Sequence, residues 1–105
     1  MSADYMAVER KIDEIEAEMR RIGMWQEEPL PPEMYNFTRA FGMDTMAGAQ
    51  WLQFILIPRV RSIIAERGDF PNGSAVAVWA SREFDGYPGA DDLHTLLSEF
   101  DRLFD

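Results

Sequence analysis

Residues 51–57 read Trp-Leu-Gln-Phe-Ile-Leu-Ile, apolar at every position except Gln53. They sit inside a helix-compatible stretch from Thr45 to Arg67. A helix that is apolar nearly all round has to be covered on most of its sides. The run is far shorter than the roughly 20 residues of a membrane span. The cover therefore has to come from the rest of this chain, with residues 45–67 as its central helix. Asp44 or Thr45 can cap the start, and Gly68 can end it. Pro58 falls in the middle. It removes one backbone hydrogen bond and its ring crowds the Phe54 carbonyl, so a kink is expected there.

Two strong amphipathic helices are available as cover. Tyr5, Val8, Ile12, Ile15, Met19 and Ile22 recur at helical spacing and form one stripe of a helix from about Ala3 to Ile22. Glu16 and Arg20 pair across one turn of its outer face. Gly23 suits the left-handed residue that closes such a helix, with Met24 as the accompanying apolar contact. Near the other end, Leu93, Leu96, Leu97, Phe100, Leu103 and Phe104 mark a second stripe. Its helix is expected to begin near Pro88, with Asp91 and Asp92 in the first turn and Arg102 in the last, matching the helix dipole. Residues 75–84 are ambiguous. Val76 and Val78 alternate with alanines as in a strand, but a lone strand has no partner in this chain, so a short helix is the better reading. The fold class that follows is all-α: a small antiparallel bundle of about four helices around a Pro-kinked central one.

Between the first two helices lies a long connection, residues 24–44. Pro29-Leu30-Pro31-Pro32 bars helix there. The segment carries Trp25, Leu30, Met34, Tyr35, Phe37 and Phe41, too apolar for a solvated linker, and connections of this length are usually functional or disordered. It is expected to pack across the helices.

The chain has 105 residues, 47 % of them hydrophobic, which fits one folded domain spanning 1–105. It has no cysteine, which excludes disulfides, thiolate metal sites and cysteine nucleophiles. The first residues show no basic segment followed by an apolar one, so a cytoplasmic protein without a membrane segment is expected. Net charge is −9. The two ends are acid-dominated, while residues 36–68 carry Arg39, Arg59, Arg61 and Arg67 against Asp44 and Glu66. An acidic shell disfavours direct nucleic-acid binding, which depends on neutralising phosphates, and favours a basic protein partner.

Catalytic and metal chemistry find little to stand on. His94 sits beside an apolar stripe and reads as a solvated helix residue. Glu27-Glu28 and Asp91-Asp92 lack calcium-loop spacing. Ser74, Ser81 and Ser98 have no histidine–aspartate arrangement around them. No catalytic residue, metal ligand or cofactor site is assigned. Two features remain. On a helical wheel Arg59 falls at the centre of the arc of Leu52, Ile55, Leu56 and Ile63, and a buried arginine needs an acceptor; Asp44 and the Phe54 carbonyl are candidates. Trp25, Tyr35, Phe37 and Phe41, with Arg39 and Arg61 at the rim, either fold onto the core or form a partner-binding patch.

Phe41-Gly42-Met43-Asp44-Thr45-Met46 followed by Trp51-Leu52-Gln53-Phe54-Ile55-Leu56-Ile57-Pro58-Arg59 resembles the signature of the small bacterial YqcC-like family. Trp25, Glu28-Pro29 and the turn from Pro71 to Ala75 fit as well. The resemblance covers nearly the whole chain and marks Asp44, Thr45, Trp51, Gln53, Pro58 and Arg59 as its structural motif. Val60 stands where methionine is expected. Gly42 replaces a larger residue, with looser packing next to Asp44 as the expected result. The resemblance implies a helical protein of uncharacterised function, often labelled with the name of a tRNA pseudouridine synthase whose gene lies nearby. That implies a link to tRNA modification, not the activity itself: such a synthase needs a catalytic aspartate on a much larger mixed α/β scaffold, and Asp101-Arg102-Leu103 holds its Arg-Leu-Asp motif only in scrambled order.

The resulting expectation is a non-enzymatic protein-interaction or accessory module, without a cofactor, whose partner is a basic tRNA pseudouridine synthase. The alternative is a helical bundle that binds a small apolar ligand beside the Pro58 bend, in a pocket lined by Met and Trp. The stripe of the first helix would also suit a dimer seam, so monomer and homodimer both stay open.

Overall fold

The computed structural model describes residues 4–104, which contain helices and no strand. Helix α1 spans Tyr5–Arg21. Asp4 caps it, its carboxylate accepting from the Met6 amide at 3.1 Å; the expected start at Ala3 lies outside the described residues. Val8, Ile12, Ile15 and Met19 are fully buried, as the stripe requires. Gly23 takes φ 80°, and the Met24 amide donates back to the Met19 carbonyl at 2.8 Å. The Gly23 amide donates to Arg20 at 3.3 Å. These two bonds through a left-handed glycine satisfy carbonyls that the helix end leaves open.

The central rod has three consecutive stretches: α2 at Gly48–Trp51, a π-helical turn at Leu52–Leu56 and α3 at Ile57–Glu66. It begins at Gly48 rather than Thr45, because Asp44 and Thr45 are committed to the linker. Gln50 takes over the start, its Oε1 accepting from the Ala47 amide at 2.9 Å. The bend expected at Pro58 takes the form of the π turn, in which the Ile57 amide donates to the Leu52 carbonyl.

A π turn acts as a one-residue insertion in a helix. Leu52, Ile55 and Leu56 are buried within it; Ile57 and Val60 are buried after it, with Ile64 half-buried. The inward face has slipped by one position. A wheel drawn at a constant 3.6 residues per turn misses that slip and places Arg59 on the apolar arc. Arg59 is in fact exposed and forms no ion pair among the described residues. The expected pairing with Asp44 is not made. The rod closes on Arg67, left-handed at φ 52°, one residue before Gly68, whose amide donates to the Ile63 carbonyl at 2.9 Å.

Helix α4 spans Val76–Glu83, so the ambiguous segment is helical. Its first amides are capped from a distance. The Asp101 carboxylate accepts from the Val76 amide at 3.1 Å, the Ala77 amide at 2.8 Å and the Ser74 hydroxyl. Helix α5 spans Asp91–Arg102 and starts later than Pro88, because successive turns fill the gap, with Tyr87 donating to Phe84 at 2.9 Å and Ala90 to Tyr87 at 3.3 Å.

Contacts at both ends make α1 antiparallel to α3 and to α5. Tyr5 Oη donates to the Gly68 carbonyl at 2.6 Å, and Arg61 pairs with Asp13 at 3.0 Å and Glu16 at 3.1 Å. Lys11 pairs with Glu99 at 2.8 Å. Between these helices the α1 stripe meets Leu52, Leu93, Leu97 and Phe100 in one core. The result is an all-α bundle in which the rod is buried from Trp51 to Ile57 except for half-buried Phe54, and amphipathic beyond it.

Candidate partner-binding surface

The linker folds onto the bundle and is fixed by polar side chains. Gln53, the one polar residue of the apolar run, is only 7 % exposed. Its Oε1 accepts from the Gln26 amide at 3.0 Å, and its Nε2 donates to the Gln26 carbonyl at 2.7 Å. Gln50 Nε2 adds a bond to Gln26 Oε1 at 3.1 Å. Gln50 and Gln53 thus dock Gln26 onto the rod, and the buried Gln53 amide has both of its polar atoms satisfied.

Farther along, Asp44 accepts from the Thr38 amide and hydroxyl, each at 3.0 Å, and from the Arg39 amide at 3.4 Å. These donors, the Thr38 amide first, hold the Asp44 carboxyl below its ordinary range. Thr45 Oγ1 donates to the Met34 carbonyl at 2.6 Å. The Asp44-Thr45 pair therefore staples the linker to itself. Gly42 is no point of loose packing: at φ 62°, a Cβ there would lie 3.0 Å from Met46 Cγ and 3.3 Å from Trp51 Cδ1. The turn needs a glycine for both conformation and space.

Stapling the turn presents Phe41 to the start of the rod and to α4. Its ring stacks on Trp79 with centroids 4.6 Å apart and planes within 2°. It meets Trp51 edge-on at 4.9 Å, and Trp51 meets Trp79 edge-on at 5.3 Å. Phe41 holds φ 58°, a costly conformation for a bulky side chain. The Trp79 indole N–H is buried without an acceptor. Beside the stack, Met43 is 53 % exposed and Val78 62 % exposed. Ala40, Phe41, Met43, Ala75, Val78 and Trp79 line an open groove of about 500 Å³, with Arg82 and Glu83 at its rim.

The six residues proposed from the sequence do not all converge on this groove. Phe41 lines it, and Arg39 precedes the lining residue Ala40 in sequence. Trp25 borders a neighbouring depression shared with Glu83, and the Arg20 guanidinium lies 4.6 Å over its ring. Tyr35 is exposed on a single 3-10 turn, Pro32–Tyr35. Phe37 packs half-buried against the core. Arg61 is held by Asp13 and Glu16 on α1. Met43, Val78 and Trp79 are what the sequence reading missed. The available signal was an apolar residue off the buried face of α4, where Val76, Ala77 and Ala80 point inward and Val78 outward, but it requires the phase of a helix that alternation had blurred.

Elsewhere, Asp101 is used as the cap of α4, and His94 is exposed. Among the described residues no three His, Asp or Glu side chains gather as a metal cluster, and no helix is long and apolar enough to cross a membrane. A small cavity does lie beside the Pro58 segment, lined by Trp51 and phenylalanines and by no methionine.

A family model described as tRNA pseudouridine synthase C matches residues 7–103. The chain belongs to this family, the YqcC-like proteins. Within it, the chain is 34 % identical over 70 residues to the uncharacterized protein YqcC of Escherichia coli K12, a match spanning 67 % of this chain and 64 % of that one. It is 26 % identical over 92 residues to an uncharacterized protein of Haemophilus influenzae, covering 88 % and 87 % of the two chains. A protein of Pectobacterium carotovorum named tRNA pseudouridine synthase C matches at 33 % identity over 57 residues, 54 % of this chain but 15 % of that protein. The solution NMR structure of E. coli YqcC superposes with a TM-score of 0.85 at 29 % identity, covering 95 % of this chain and 86 % of that one. The YqcC-like fold is thus the all-α bundle described above.

Proposed function

We propose that this YqcC-like chain is a non-enzymatic accessory module that docks a protein through the groove of Phe41, Met43, Val78 and Trp79. The observation that carries the reading is the groove itself. An acidic surface opens there onto contiguous apolar side chains, and exposed apolar patches rimmed by polar residues mark interaction sites. The stacked aromatics give a rigid floor of the kind that anchors hot spots. Arg82 and Glu83 at the edge offer one charge of each sign to the partner's contact patch, while the net charge of −9 steers a partner that is basic overall.

The proposed partner is a tRNA pseudouridine synthase. In the Pectobacterium protein of that name, a segment similar to this chain occupies a small part of a much longer polypeptide. Covalent linkage in one chain is a natural counterpart of non-covalent association in two. The side chains of this chain fit a partner better than they fit the synthase reaction. Asp101 lies in a reordered version of the synthase motif and is already saturated by three donors of its own fold.

The test is co-purification. An untagged synthase from the same organism should be retained by the tagged chain at moderate salt and lost with Val78→Glu, while the circular dichroism spectrum of the variant is unchanged. Retention no better than a tag-only control would refute the reading, and equal retention by Val78→Glu would move the surface elsewhere.

A further inference from the structure

Interiors packed to crystal density leave few voids larger than a water molecule. Between α3, α5 and the 68–75 loop this bundle leaves a cavity of about 170 Å³. Its walls are aromatic and aliphatic: Trp51 and Leu56 from the rod, Phe70 from the loop, and Phe100 and Phe104 from α5 and the turn after it. Trp51, Phe100 and Phe104 are buried, so the inner wall of this partly open cavity is apolar. An apolar cavity of roughly 150 Å³ in another protein stays empty of water and takes up benzene. The void here is on the scale of one six-membered ring or a short branched chain.

Its edge is not apolar. Arg59 lines the same cavity and is exposed. Other cations nearby are spoken for: Arg61 pairs with Asp13 and Glu16, Lys11 with Glu14 and Glu99, and the Arg67 guanidinium faces the Tyr5 ring at 6.0 Å. Arg59 has no carboxylate partner among the described residues. The Ser74 hydroxyl, also on the wall, is donated to Asp101. The cavity therefore has one arginine without an ion-pair partner on its lining, in a chain whose net charge is −9. The one-residue slip of the π turn is what takes Arg59 off the buried face and leaves it beside the cavity.

We propose that the cavity is a binding site for a small monocarboxylic acid with an aryl or branched-alkyl body. The body fills the space between Trp51, Phe70 and Phe100, and the carboxylate meets the Arg59 guanidinium at the rim. Two parallel N–H···O bonds from a guanidinium to a carboxylate combine energy with orientation. A neutral molecule of the same shape fills the hole without that second contact. The site shares no lining residue with the Phe41–Trp79 groove, although Trp51 on its wall touches both of those rings, and the proposal does not rest on the docking function.

The test uses benzoate as the acid and benzyl alcohol as its neutral counterpart, each titrated into the full chain labelled with ¹⁵N and followed by two-dimensional NMR. Benzoate should shift amides of residues 51–63, 70–74 and 100–104, and bind more tightly than benzyl alcohol. Arg59→Gln is a surface change that leaves the fold intact. It should weaken benzoate by roughly tenfold or more while leaving benzyl alcohol unchanged. Ile63→Phe, at the half-buried wall, should abolish both. Absence of shifts with both ligands at millimolar concentration would overturn the proposal. So would shifts outside those three segments, or equal benzoate affinity in Arg59→Gln. None of these results bears on synthase retention, which is lost or kept through Val78.

Discussion

Replacing Gln53 by methionine keeps the length of the side chain and removes its amide. In the folded chain that amide closes two bonds with the Gln26 backbone, at 3.0 and 2.7 Å, and the residue is buried within the π turn. The methionine leaves the Gln26 N–H and C=O without partners. A typical intramolecular hydrogen bond contributes about 1 kcal/mol net, and an orphaned buried group costs about 1–3 kcal/mol. Gln26 is only partly buried, so the lower end applies to each group, and methionine recovers some apolar burial. The expected loss is about 2 kcal/mol. At about 4–8 °C per kcal/mol for a domain near this size, the midpoint should fall by about 8–16 °C. Urea unfolding followed by tryptophan fluorescence measures it, with an unchanged m-value showing that the unfolding reaction is the same. Hydrogen exchange at the Gln26 amide should accelerate more than exchange in α1. Gln50→Met removes the bonds to the exposed Ala47 amide and to Gln26 Oε1 and leaves the Gln26 backbone paired, so it should cost less than Gln53→Met. A Gln53→Met protein within about 0.5 kcal/mol of the parent, inside the range of an ordinary surface change, would refute the view that the linker is pinned through this amide.

Three further outcomes follow from the same contacts. Asp101→Ala strips the acceptor from the Ser74 hydroxyl and two α4 amides and should cost about 2 kcal/mol in urea, with a loss of helical signal confined to α4 by NMR; full retention of stability would contradict the remote cap. Asp44 titrates low because its carboxylate is hydrogen-bonded in the fold, so its stabilisation is complete above the unfolded value of about 3.9 and is lost as pH falls through the folded one. The Thr38 amide shift should report a midpoint below about 3.9, and a midpoint at or above it would contradict the staple. Arg67→Gly relieves a left-handed non-glycine residue at the end of α3 and should stabilise by about 0.5–1 kcal/mol in thermal unfolding; a destabilised variant would mean that the Arg67–Tyr5 contact outweighs the strain.

The parts of this fold that sequence made readable are those whose signals are local. The α1 stripe, its closure through Gly23 and Met24, and the buried run from Trp51 each follow from spacing or from one residue's backbone preference. The rest depends on contacts between distant segments. A π turn before Pro58 shifts the register of everything after it, so the environment of Arg59 could not be read from a regular wheel. Asp44 was assigned a cationic partner far along the chain, but the backbone amides of its own turn lie closer and satisfy it. The cap of α4 comes from Asp101, 25 residues after Val76, which no N-cap rule finds. At the candidate surface, Phe41 and Arg39 were within reach because the linker is conspicuously aromatic. Val78 and Trp79 were not, because residues 75–84 read equally as strand, and only the phase of α4 tells which valine faces water. Arg61 looked like a rim cation until α1 folded back to supply Asp13 and Glu16.

The docking surface is tested most directly by titrating unlabelled tRNA pseudouridine synthase into ¹⁵N-labelled chain and recording which signals move or broaden. The groove predicts a cluster at residues 40–43 and 76–83 that includes the Trp79 indole N–H, a donor without an internal acceptor. A cluster on the acidic faces of α1 and α5, or a spectrum untouched by excess synthase, would contradict it.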